Sequence, residues 1–115
     1  MNNPMEIVDK INIAMLALQN GNIQLKTLAL DKAKTKRDYY IELNKKILEL
    51  KADKYPATLI QELSKGDSKV AELRLNKDIA ESSYYVAIDA LNNIRLEIET
   101  LRSMLTWLRT ELKNS

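Results

Sequence analysis

"AESSYYVAIDALNNIRLEIETLRSMLTWLRTEL", residues 80–112, decides the fold. Ala80, Tyr84, Ala87, Leu91, Ile94, Ile98, Leu101, Leu105, Leu108 and Leu112 recur at alternating steps of four and three. One step of each makes seven residues, the repeat of a coiled-coil seam. Val70 and Leu73 carry the stripe backwards, with Lys77 as its one polar member. These ten positions read as an oligomer seam. A looser second stripe adds Ile88, Met104 and Trp107, which is more apolar surface than one partner helix covers.

The stretch upstream, "YPATLIQELSKGDSKVAELR" (residues 55–74), is where the helical pattern breaks. Pro56 disfavours a helical conformation in Tyr55, so a preceding helix stops there. "ATLIQELS" makes two helical turns with Leu59, Ile60 and Leu63 inward, and Thr58 with Gln61 suggests a capping box. Gly66 ends that short helix, and Asp67 or Ser68 caps the next one. Short helix, glycine turn and long helix also describe a helix-turn-helix. However, the candidate reading head "SKVAELRLNKD" has mixed charge and a buried seam of its own, so a corner is the better reading.

Asn3-Pro4 is a helix start, with Asn as the cap and Pro in the first helical position. Val8, Ile11, Met15 and Leu18 follow at helical spacing, and "QNGN" then either ends the helix or marks a weak spot inside a longer one. From Ile23 the rhythm resumes through Ala29, Ala33, Lys36, Tyr40, Leu43, Ile47 and Leu50. The expected elements are helices at about 4–19, 23–52, 57–64 and 68–113 in a single domain, residues 1–115. At 1.5 Å per residue, 5–52 and 68–113 make rods of roughly equal length, about 70 Å each. Equal rods joined by a corner fold into a long, coiled-coil-like antiparallel hairpin, all-α, with Tyr39 and Tyr40 level with Tyr84 and Tyr85. Two helices are too thin to enclose their own apolar faces, so the hairpin is expected to pack as an oligomeric bundle, first of all a two-fold dimer.

Composition narrows the chemistry. The chain has 115 residues, two Gly, two Pro and no Cys, His or Phe, with 45% hydrophobic and 30% charged residues and a net charge of +2. Ala, Leu, Ile, Glu and Lys favour helices. Without Cys or His there is no thiolate or imidazole metal site, no disulfide and no histidine base. No phosphate-binding glycine loop, zinc-protease or serine-hydrolase motif occurs. Glu97 and Glu99 lie two apart on a helix and point in different directions. We expect neither an enzyme nor a cofactor. No apolar run spans a bilayer and the N-terminus does not look like a secretion signal, so a cytoplasmic protein without membrane contact is expected.

Between Lys26 and Lys54 there are nine Lys/Arg against five Asp/Glu, with tyrosines alongside. Lys26, Lys34 and Arg37 share one face, while Lys32 and Lys36 turn away. Tyr85 lies off the seam, and Trp107 sits beside it between Arg102 and Arg109. Lys26, Lys34, Arg37, Tyr85 and Trp107 are the candidate contacts for a partner or nucleic acid, since basic residues meet phosphates and Trp and Arg anchor interfaces.

Residues 58–107, "TLIQELSKGDSKVAELRLNKDIAESSYYVAIDALNNIRLEIETLRSMLTW", together with the upstream "KAKTKRDYY" (32–40), resemble small helical proteins of phages and prophages of Gram-positive bacteria. The resemblance rests on Lys65-Gly66, Val70-Ala71, Leu73-Arg74, Ala80, Tyr84 and Ala87. It implies a viral origin, in the cytoplasm of an infected or lysogenic host, near early genes of recombination and replication. It carries no functional residue over. The expected function is a non-enzymatic interaction protein: an oligomeric bundle that binds itself and a phage or host protein, as an accessory of DNA metabolism or an inhibitor of a host defence system. The alternatives are single-stranded nucleic-acid binding through residues 26–54 and, more weakly, a sponge for a small anionic ligand.

Overall fold

The computed structural model describes residues 3–114. Three helices follow in chain order, α1 (Pro4–Ala52), α2 (Ala57–Gly66) and α3 (Ser68–Asn114), with no strand among the described residues. The chain is an all-α helical hairpin with a short corner helix. Each long helix contributes to two compact units, one from Met1–Lys26 with Val86–Ser115 and one from Thr27–Tyr85.

The ends of the helices follow from local chemistry. Asn3 caps α1, its Oδ1 accepting from the Glu6 amide at 2.9 Å. At the other end Lys54 takes the left-handed conformation, φ 61°. Its amide donates to the Lys51 carbonyl and the Tyr55 amide donates to the Leu50 carbonyl, each at 3.1 Å. This bond pair is a Schellman closure, here with lysine in the position glycine usually holds. Pro56 then prevents the helix from resuming. α2 starts without any side-chain cap: Pro56 is its extended N-cap residue, and the Leu59 amide reaches the Pro56 carbonyl at 2.9 Å. The expected Thr58 capping box is therefore not formed, because Thr58 already lies inside the first turn. Asp67 caps α3, its carboxylate accepting from the Val70 amide at 3.2 Å and its carbonyl from the Ala71 amide at 2.8 Å.

In the unit holding the N-terminal part of α1, Ile7 and Ile11 bury against Leu101, with Leu105 and Leu108 packed alongside. Gly21 meets Leu91. Low numbers on α1 thus meet high numbers on α3, which makes the pair antiparallel. Burying side chains of this size contributes about 1.5–3 kcal/mol each.

Here α1 departs from the expected pair of helices at 4–19 and 23–52, running unbroken through "QNGN". Gly21 does not take the left-handed conformation. A methyl group added at Gly21 would sit inside the 3.0 Å limit from a Leu91 methyl. Glycine weakens a helix by about 1 kcal/mol relative to alanine, and here that cost is offset by the close seat it gives Leu91. The buried stripe is also displaced by one position from Val8 and Met15. It is Ile7 and Ala14 that are buried, while Met15 is exposed. Small residues belong to this seam because large ones on α3 fill the space they leave.

In the other unit Tyr39 and Leu43 bury with Val70, and Ile47 and Leu73 close the cluster. Tyr39, not Tyr40, is the inward tyrosine. Lys69 pairs with Glu42 at 3.5 Å, Lys77 lies over the Tyr39 ring and Lys32 over the Tyr84 ring. The expected level pairing of Tyr39 and Tyr40 with Tyr84 and Tyr85 is therefore wrong by about one heptad. The reason is α2. Leu50 of α1 shares a depression with Leu63 of α2, so the last turns of α1 face the corner helix and α3 starts lower down. Ile60 and Ser64 are the buried residues of α2, and the Ser64 hydroxyl donates to the Ile60 carbonyl at 2.6 Å.

Candidate functional site

The ten seam residues lie where α3 meets α1 of the same chain. Ala80, Leu91, Ile98 and Leu101 are buried, and Tyr84, Ala87, Ile94, Leu105 and Leu108 are half-buried. Leu112, in the last turn of α3, is exposed. The partner of this stripe is internal, at Gly21 for Leu91 and at Ile7 and Ile11 for Leu101. The stripe thus has an internal partner in α1, while its half-buried members and Leu112 keep part of their surface open.

Apolar side chains are left over elsewhere. On α1, Ile13 (70%), Leu16 (59%) and Ile23 (66%) are exposed within one unit. Their spacing, with Asn20 between Leu16 and Ile23, is three, four and three, which puts them on one side of the helix. In the same unit Val86, Leu96 and Trp107 of α3 are exposed, so Trp107 is not part of this chain's own core. In the second unit Leu30, Ile41, Leu48, Leu75 and Ile79 are exposed.

The basic segment divides by direction. Lys26, Lys34 and Arg37 are exposed, and Arg37 Nη2 contacts its neighbour Asp38 at 3.0 Å. An exposed pair of this kind contributes little. Lys32 is half-buried and turns toward α3, with its Nζ 5.5 Å from the Tyr84 ring centre and 5.8 Å from that of Tyr85. Tyr84 and Tyr85 meet edge to face at 5.4 Å. Lys77 Nζ lies 5.4 Å from the Tyr39 ring centre, 3.1 Å from Asp78 and 4.0 Å from Glu81. The Asp78 hydrogen bond raises the Lys77 ammonium above its ordinary value against the opposing effect of partial burial, and the charges of Asp78 and Glu81 add to it. Lys32, Lys36, Tyr40, Lys77 and Glu81 enclose a pocket of about 180 Å³. The sequence placed Lys32 and Lys36 away from the exposed basic face, but not with Lys77. The unused signal was Lys77 itself, the one charge in an otherwise apolar repeat.

At the corner of residues 55–74, Asp67 ties the helices together. Lys46 Nζ lies 3.7 Å from Asp67 and 3.6 Å from Glu49, and Asp67 also caps α3. No group of three or more carboxylates among the described residues could hold a metal ion. No helix among them is long and apolar enough to cross a membrane. Compared with protein-family models, curated proteins and solved structures, the chain has no match.

Proposed function

We propose that this chain is a non-enzymatic interaction protein whose first partner is a second copy of itself, joined through the side of α1 that carries Ile13, Leu16 and Ile23. The supporting observation is the surface left open. The chain exposes 8516 Å². A compact folded chain of its mass, 13.2 kDa, exposes roughly 6,400 Å² by the usual scaling of surface with mass. The excess is about 2,100 Å². A stable interface removes about 1,200–2,000 Å² in total, or up to about 1,000 Å² from each partner. One self-contact therefore fits within this excess, and the exposed α1 side chains supply an apolar centre for it.

The assembled bundle would present its outer helices and Trp107 to a phage or host protein, in the setting the phage resemblance implies. The test is a variant carrying Leu16→Glu and Ile23→Glu. Both residues are exposed, so the helix content should be unchanged while the light-scattering mass falls from two chains to one. Wild-type and variant chains of equal mass would overturn the proposal.

A further inference from the structure

We propose that the pocket formed by Lys32, Lys36 and Tyr40 of α1 with Lys77 and Glu81 of α3 binds the phosphate group of a phosphate ester. This site lies on different residues from the self-association side chains and goes beyond that reading.

A lysine in a helix–helix seam costs stability, and Lys32 and Lys77 are both half-buried there. If their task were only to fix the register, each would be expected to face an acid. Lys77 does, through Asp78 and Glu81. Among the described residues, however, the ion pairs include neither Lys32 nor Lys36. What steadies Lys32 instead is the pair of tyrosine rings. An aromatic face attracts an ammonium without neutralising it, so its N–H donors and full charge remain available to an anion.

Three lysines against Glu81 leave the pocket lining at +2, and counting Asp78 beside Lys77 leaves +1. The Tyr40 hydroxyl adds a neutral donor. Lysine binds phosphate as a point charge, and three around about 180 Å³ suit a group with several negative oxygens. Tyr40 and Tyr85 are about half exposed beside it, where an attached base could stack. The phosphate chemistry has two sources, a free phosphate ester or the backbone of a single strand.

Calorimetric titration with pyrophosphate and with adenosine monophosphate, and fluorescence anisotropy with a labelled oligothymidylate at low salt, separate them. Wild type is compared with Lys36→Glu, with Lys32→Met (which keeps an apolar stem over the rings) and with the exposed control Lys10→Gln. Losing one charged hydrogen bond should weaken binding about tenfold or more. We expect saturable binding that both pocket variants lose and Lys10→Gln keeps. Binding of the mononucleotide assigns a free ester, whereas binding of pyrophosphate alone, an anhydride without an ester bond, overturns the ester assignment. Tight binding of the oligomer alone, still sensitive to Lys36→Glu, assigns a strand. No binding of any probe, or equal loss in Lys10→Gln, overturns the proposal.

Discussion

Substituting Gly21 by alanine tests the pairing of α1 with α3 at one atom. Alanine in a helix interior gains about 1 kcal/mol over glycine. Against this, the new methyl would press on Leu91, which is only 3% exposed. Overpacking of this kind costs about 1–3 kcal/mol. The open depression of about 330 Å³ bounded by Ala17, Ala90 and Leu91 gives the leucine room to turn, which favours the lower end of that range. Gain and cost should therefore cancel to within about 1 kcal/mol in the wild-type background. Leu91→Ala by itself should cost about 2–5 kcal/mol. In that background the collision is gone, so Gly21→Ala should recover its full gain of about 1 kcal/mol. The coupling between the two sites is then at least about 1 kcal/mol, well above the additivity error of distant sites. Urea unfolding followed by circular dichroism measures it, at one fixed protein concentration because association shifts apparent stability. Equal gains from Gly21→Ala in both backgrounds would show that Leu91 does not sit on Gly21, and the pairing would be wrong.

Other consequences are simpler to read. Lys54→Gly should stabilise the chain by about 1 kcal/mol, since a non-glycine residue at φ 61° carries a left-handed cost of about 1–2 kcal/mol partly balanced by the greater freedom of unfolded glycine; an unchanged urea midpoint would count against the Schellman closure. Ile7→Ala should cost about 2–5 kcal/mol, because Ile7 is fully buried against Leu101, and thermal unfolding checks it. The Lys77 ammonium is held above its ordinary value of 10.5, so its contribution is complete below that pH and is lost as pH rises through the folded-state value. The stability difference between wild type and Lys77→Met should accordingly be flat near neutral pH and shift against the wild type in strong alkali; a difference independent of pH would remove the Asp78 contact from consideration.

The helices were legible because the α3 repeat is long and because Asn3, Pro56 and Asp67 are chemically specific end signals. Four features were less so. Gly21 looked like a stop, since a single sequence does not show that a leucine seventy residues later needs its missing side chain. The register was set by α2, whose contacts with the end of α1 leave no periodic trace, and a heptad repeat matches itself equally well when slid by seven. The phosphate pocket was hidden for the same reason: Lys32 and Lys36 meet Lys77 only in the observed register, and in the expected one Tyr40 would stand opposite Tyr84 instead. The unused apolar surface was partly visible as a second stripe on α3, but the clearer stripe, Ile13, Leu16 and Ile23, is on α1. Val8, Ile11, Met15 and Leu18 form an equally regular pattern on the same helix, which masks it.

Sedimentation equilibrium of the unmodified chain over a range of micromolar concentrations addresses self-association most directly. Two chains of 13.2 kDa in one particle, with a dissociation constant that rises when Leu16 and Ile23 become acidic, is the expected result. A single-chain mass at every concentration would mean that the apolar side of α1 stands in water without a second copy, and the proposed interaction function would fall with it.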